Sequence, residues 1–209
     1  MRKKDDIIYW TFGGYLTLLA ILAFINSFIH PEIAHPLWFS YITLFLIGIG
    51  ILRKNSELIA VQLNIIAIPV LFWNIDFFYQ LITKNSLWGI TDYLFDGGVA
   101  GSLGNFISMQ HTYIIPVALA FLLFLGIKRR DLWKWSLFEA FFIFVLSLTF
   151  TVYERNVNCV FESCIDFISI GSPYYQILWL FSVFLMVLLT NSLLVYLLKK
   201  MKKAKKLKE

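Results

Sequence analysis

Apolar residues run along this chain in long blocks, not in the alternation of strands or the narrow stripes of soluble helices. Six blocks stand out: Ile7–Phe28, Leu37–Leu52, Leu58–Leu81, Ile107–Ile127, Leu132–Tyr153 and Tyr174–Leu198. A hydrocarbon layer about 30 Å thick needs roughly 20 residues of helix, and the blocks meet or approach that length. The second is the shortest and begins beside Pro36, a residue suited to a first helical turn. The pattern predicts an all-α, six-helix transmembrane bundle occupying residues 1–209 as a single domain, with a basic tail at 199–209.

Polar positions break this pattern in two places. The third block is interrupted by Gln62, Asn64, Pro69, Asn74 and Asp76. Helical spacing sets Trp73, Asp76 and Gln80 on one face and turns Asn74 about 200° away from Asp76. Pro69 leaves the Ile65 carbonyl without its helical partner, which predicts a kink. After this block comes GITDYLFDGGVAGSLGN, whose Gly97, Gly98, Gly101 and Gly104 each disfavour helix by about 1 kcal/mol relative to Ala. A short re-entrant or interfacial segment is expected over 87–105, since non-helical backbone at membrane depth persists only inside protein or beside a wet cavity.

Composition agrees with the pattern. The chain is 59% hydrophobic, 18% aromatic and 15% charged, whereas soluble domains are about half apolar and a quarter charged. A soluble globular enzyme and a disordered chain are both excluded. The net charge of +5 would suit nucleic acid if the basic residues lay on one face, but they fall in short groups between the blocks. Six alternating spans put sixteen of the eighteen Lys and Arg on one side, leaving Lys84 and Arg155 on the other. This predicts a multi-pass protein of the cell membrane with both termini cytoplasmic, and no nucleic-acid partner. The run Ile7–Phe28 is too long for a signal h-region and no A-x-A site follows it, so it reads as a retained helix. The lysines of KKMKKAKKLKE suit anionic lipid headgroups.

Ionisable groups inside a membrane are costly and mark function. Asp76, His111 and Glu139 are such groups, and the loops add Thr91, Asp92, Asp96, Asn156 and Asn158. All but Glu139 are expected toward the outer face. As a site, His111 would be the base, Asp76 or Asp92 would orient its ring, Thr91 or Ser108 would be the nucleophile and Asn158 would stabilise an oxyanion. Each residue also has a structural reading: His111 bonds a carbonyl between helices, Asp76 pairs two helices, and Asp92 and Asp96 face water or cap short turns. Glu139 is expected to pair with Lys134 or Arg130. HPEIAHP (His30, Glu32, His35) lacks the order and helical spacing of a zinc protease. Cys159 and Cys164 are not a C-x-x-C pair but permit a disulfide in an oxidising compartment. No metal site or cofactor is expected.

The stretch NVNCVF followed by FISIGSPYYQILWL resembles the N-Y-x-[YF]-L … G-P-W-P-W-Y pattern of the YwaF-like bacterial integral membrane proteins. The matching positions are Asn158, Phe161, Gly171, Pro173 and Tyr175, and His111 stands where that family carries a His near the outer start of a preceding helix. WNIDF, GITDYLFD and the His111 helix ending in KRRD also resemble a group of bacterial membrane proteins with no assigned activity. The YwaF-like family is related to a eukaryotic transmembrane phospholipid acyltransferase, so the resemblance implies acyl chemistry on a membrane lipid. That relative's Cys nucleophile on an earlier helix has no counterpart in the first four blocks, where the nearest region carries Trp73-Asn74.

These observations favour a lipid-modifying protein, by acyl transfer or hydrolysis, with an outward-facing polar site around His111. The competing readings are a small proton-linked transporter using Asp76 and His111, and an assembly or scaffold subunit in which the polar cluster is structural glue. Membrane lipid is the expected partner.

Overall fold

The computed structural model describes residues 3–31, 35–95, 101–165 and 168–206. These form an all-helical bundle: α1 (Lys3–Ile29), α2 (Phe39–Leu52), α3 (Ser56–Thr83), α4 (Gly101–Ser108), α5 (Gln110–Leu125), α6 (Trp133–Phe150) and α7 (Tyr174–Lys206). Only Met109 separates α4 from α5, and 103–125 runs as one apolar span. Five spans are long and apolar enough to cross a membrane, at 6–29, 56–83, 103–125, 133–150 and 174–201. The helix at the second apolar block, α2, has 14 residues, rises about 21 Å and is shorter than these five spans.

Gly101 and Gly104 lie inside a helix, although each glycine disfavours one. The glycine penalty is small beside the cost of unpaired backbone at membrane depth, and α4 packs against α1 with Gly104 buried. Asp96, Gly97 and Gly98 lie outside the described residues. α7 continues as helix through Lys199 to Lys206, into the basic tail.

α3 is the hub. It touches α2, α5, α6 and α7, and 56% of its apolar window is buried against 17% for α7. The apolar core lies mainly along α1, α2 and α3, with Leu16, Leu44, Ile47, Ile51, Ile59 and Leu63 buried, closed by Ile107, Ile114 and Leu122. Outward positions such as Phe28, Phe124, Phe138 and Leu189 are more than half exposed, as a lipid-facing surface requires.

The two ends of the bundle are pinned differently. At the terminal end, Asp6 pairs with Lys54 in the α2–α3 turn, and Asn191 of α7 donates to the Arg130 carbonyl in the α5–α6 turn at 3.2 Å. At the opposite end, the loops between α1 and α2, α3 and α4, and α6 and α7 come together.

α1 and α2 approach at backbone contact. A Cβ on Gly48 would sit 2.5 Å from Thr17 Oγ1 and 2.7 Å from Thr17 N, and one on Gly13 would meet the Gly48 carbonyl at 2.9 Å. Small residues at such a crossing let two membrane helices gain dispersion contact. Gly48→Val is expected to destabilise by about 1–3 kcal/mol through overpacking. Thermal unfolding in detergent would show Tm lowered by roughly 2–10 °C, whereas Gly14→Val, where a Cβ meets nothing within 4 Å, leaves it unchanged.

Candidate functional site

A cavity of about 240 Å³ lies at the loop end, between α1, α2, α3 and the α4–α5 span. Its walls are aromatic: Trp38, Tyr41, Trp73 and Tyr93. Asn26, Ser40, Ser108 and His111 supply the polar groups, and Cys159 and Cys164 close one side. These two cysteines form a disulfide, with Cα atoms 5.6 Å apart. Among the described residues the lining contains no Lys or Arg.

His111, the second residue of α5, is held on three sides. Its ring stacks on Trp73 with centroids 4.6 Å apart and planes 24° from parallel. Asn74, the next residue along α3, donates to the His111 carbonyl at 2.8 Å. His111 Nδ1 lies 2.7 Å from the Ser108 carbonyl. A carbonyl only accepts, so Nδ1 carries the proton and Nε2 keeps its lone pair in the neutral ring. Gln110 Nε2 lies 3.2 Å from that second nitrogen and donates to it. Behind the ring, Trp73 Nε1 donates to the Tyr93 hydroxyl at 3.2 Å. Tyr93 also hydrogen-bonds the Ser108 side chain, and burial holds its phenol above the ordinary range.

Of the six residues expected at the site, His111 and Ser108 line the cavity and Asp76, Thr91, Asp92 and Asn158 are not among its lining residues. Asp76 is fully buried, and its carboxylate binds the α3–α4 loop, not the imidazole. Asp76 Oδ1 accepts from the Trp88 N–H, and Oδ2 from the Thr91 N–H and hydroxyl, each at 2.8 Å. The group that orients His111 is the Ser108 carbonyl. Thr91 is likewise fully buried, and its hydroxyl, with Gln80 Oε1 also 3.1 Å away, is engaged and not placed as a nucleophile. Trp73, Asp76 and Gln80 do share a buried face, as their spacing predicts. Asp92 opens a short 3-10 turn over Asp92–Leu94, and its buried Oδ1 has no hydrogen-bond partner among the described residues.

Asn158 is a clasp. Its Oδ1 accepts from the Phe39 N–H at 2.8 Å, and its Nδ2 donates to the Leu37 carbonyl at 2.7 Å and to Ser147 Oγ at 3.0 Å. Its own carbonyl accepts from Trp179 Nε1 at 3.0 Å. The N-terminus of α2 has no capping side chain of its own, so a residue 119 positions away satisfies one of its free N–H groups. With both amide protons engaged, Asn158 is not free to hold an oxyanion. Its φ of 59° is left-handed, a conformation Asn tolerates better than most residues.

Glu139 does not pair with Lys134 or Arg130. Its Oε2 accepts from Gln62 Nε2 at 2.8 Å. In HPEIAHP, Glu32 lies outside the described residues, and His35 Nδ1 accepts from the Leu37 N–H at 3.2 Å. Burial, then the Arg155 charge, lowers the His35 pKa, in keeping with that neutral role. The residues that sequence reasoning passed over are Asn26, Ser40 and Gln110. Each is polar within or beside an apolar run, the signal that had singled out Asp76.

No known protein family, curated protein or solved structure matches this chain. The site is therefore read from its own geometry.

Asp76→Asn tests the loop clamp. Whichever way the amide turns, one of its N–H donors faces a backbone N–H, leaving a buried donor unsatisfied at about 1–3 kcal/mol. Amide exchange at Trp88 and Thr91 is expected to quicken by roughly 5- to 150-fold. Thr91→Val removes only the hydroxyl and should produce a smaller change.

Proposed function

We propose that this multi-pass membrane protein binds a small neutral amphiphile in the loop-end cavity, with a hydroxyl of the ligand taking the place of the Gln110 amide at His111 Nε2. The observation that carries this reading is the ring itself: fixed by Trp73 and the Ser108 carbonyl, it turns beside an aromatic cavity an acceptor nitrogen whose one donor is the neighbouring Gln110 amide, at 3.2 Å, which a hydroxyl would replace. Lone polar anchors in apolar walls are how small-molecule sites set orientation. The volume, about 240 Å³, suits a glycerol-sized head and a few methylenes. With no cation among the described lining residues, a phosphate would enter without a charge partner from them, at considerable cost.

A lipid-modifying reaction is the second reading, favoured by the tautomer. A His with Nδ1 bonded to a fixed carbonyl and Nε2 free of a proton is arranged as a general base. The base would act on the hydroxyl of the ligand, because Thr91 and Ser108 are engaged elsewhere. The likeness of Asn158, Gly171, Pro173 and Tyr175 to the YwaF-like pattern supports acyl chemistry. The distribution of Lys and Arg supports a cell-membrane location with both termini cytoplasmic, which turns the cavity outward.

Equilibrium binding of a short-chain monoacylglycerol to the protein in nanodiscs tests the proposal. His111→Ala is expected to weaken it about tenfold, the value of one hydrogen bond of roughly 1.4 kcal/mol, and an alkyl phosphate of equal chain length should not compete. Unchanged affinity in His111→Ala, or equal competition by the phosphate, would overturn it.

A further inference from the structure

On the α1–α2 side, the loop-end cavity carries polar groups that the protein itself leaves unused. Asn26 of α1 and Ser40 and Tyr41 of α2 line it. Asn26 is 2% exposed and Tyr41 9%. Among the described residues, none of these side chains has a hydrogen-bond partner, and none of their polar atoms is closed off from accessible space. The space they share is the cavity. Their neighbours behave differently. Ser27 Oγ donates to the Ala23 carbonyl at 2.9 Å, and Thr43 Oγ1 to the Phe39 carbonyl at 2.7 Å, each one helical turn back. Ser40 stands in the first turn of α2 and has no helical turn behind it to take its hydroxyl. The Leu37 carbonyl, three residues back, accepts instead from Asn158. The Tyr41 ring sits edge-on against Phe24 of α1, with centroids 6.4 Å apart, which leaves only its hydroxyl unpaired.

An unpaired amide in so enclosed a place is costly, so whatever fills the cavity, water at rest and ligand when bound, has to meet it. The set is weighted toward donors: the Asn26 NH2 and the Ser40 and Tyr41 hydroxyls can all give a proton, while the Asn26 amide oxygen only accepts. A carboxylate or phosphate would take these protons but brings a charge, and no Lys or Arg lies among the described lining residues to meet it. A neutral ester carbonyl offers two lone pairs on one oxygen with no charge to desolvate. On the α5 side the demand is reversed, because His111 Nε2 accepts. A ligand that suits both sides takes protons on one and gives a proton on the other.

We infer that the ligand of this cavity is a hydroxy ester of the monoacylglycerol type, its ester carbonyl held by Asn26, Ser40 and Tyr41 and its hydroxyl by His111. This rests on the reading of the cavity as a site for a neutral amphiphile, and adds which groups select the head. Asn26 is the selecting residue, as the most enclosed of the three. A site built around a buried hydrogen bond rejects an analogue that cannot make it far more strongly than an apolar pocket rejects a change of size.

The test compares two probes on the full-length protein in nanodiscs: a short-chain monoacylglycerol, and the alkyl glycerol ether of equal chain length, which keeps both hydroxyls and lacks only the carbonyl oxygen. The ester is expected to bind about tenfold more tightly than the ether. In Asn26→Leu, which keeps the volume and removes the amide, ester affinity should fall to that of the ether while ether affinity holds, and the retained ether binding shows that the variant is folded. Ser40→Ala should remove a smaller part of the same preference. His111→Ala should weaken both probes alike and leave the preference in place. Equal affinities for ester and ether in the wild type, both weakened by His111→Ala, would overturn the ester assignment and leave the neutral-amphiphile reading standing. So would a preference that survives in Asn26→Leu, an equal fall of both probes in that variant, or a free fatty acid of the same chain length that outcompetes the ester. Binding of neither probe to the wild type would overturn both readings.

Discussion

The structure turns on one constraint: a helix at the centre of a membrane bundle cannot leave its polar groups to water. α3 carries Gln62, Asn64, Asn74, Asp76 and Gln80 along its length, and four of these five are almost wholly buried. Each must therefore find its partner in another element. Gln62 meets Glu139 of α6, Asn64 meets Ser136 and Asn191, Asn74 meets the backbone of α5, and Asp76 meets the loop that follows its own helix. The polar residues of α3 thus decide which helices surround it. In hydrocarbon, where apolar faces are nearly interchangeable, such pairings specify an arrangement that greasy contact alone would leave open.

The same economy shapes the loop end. Asp76 and Asn158 each gather segments distant in sequence, one folding the 88–91 stretch back on α3 and the other tying the 157–159 turn to the start of α2, to α6 and to α7. Between these two clamps lies the cavity with His111. Residues that resemble a catalytic set in the sequence are, for the most part, the frame around it. Asp76, Thr91 and Asn158 use their hydrogen-bonding capacity to hold loops, whereas His111 Nε2 takes only the 3.2 Å contact from the adjacent Gln110 amide.

Much of this was legible in the chain, and the reason is physical. A bilayer imposes a length on every pass, so the run Leu58–Leu81 locates α3 within two residues at each end, and Tyr174–Leu198 locates the start of α7, which continues to Lys206. Burial of a polar residue in such a run is also visible, which is why Asp76, His111 and Glu139 stood out. Their partners were not visible. The Ser108 carbonyl that orients His111 is backbone, and no side-chain pattern encodes it. Gln62 as the partner of Glu139 and Phe39 as the partner of Asn158 depend on crossing geometry across 77 and 119 residues. Glycine preference misjudged α4 because propensity is a fraction of the cost of bare backbone in a membrane.

The central claim is that the cavity framed by the Asp76 and Asn158 clamps, with His111 in its wall, receives the ligand. Photolabelling addresses it directly, using a diazirine-bearing monoacylglycerol and mapping of adducts by mass spectrometry. The account predicts adducts on Trp38, Tyr41, Trp73 or Tyr93 that disappear under excess unlabelled monoacylglycerol and are lost in His111→Ala. Adducts confined to the lipid-facing surface, at residues such as Phe124, Phe138 and Leu189, and indifferent to competitor, would contradict it.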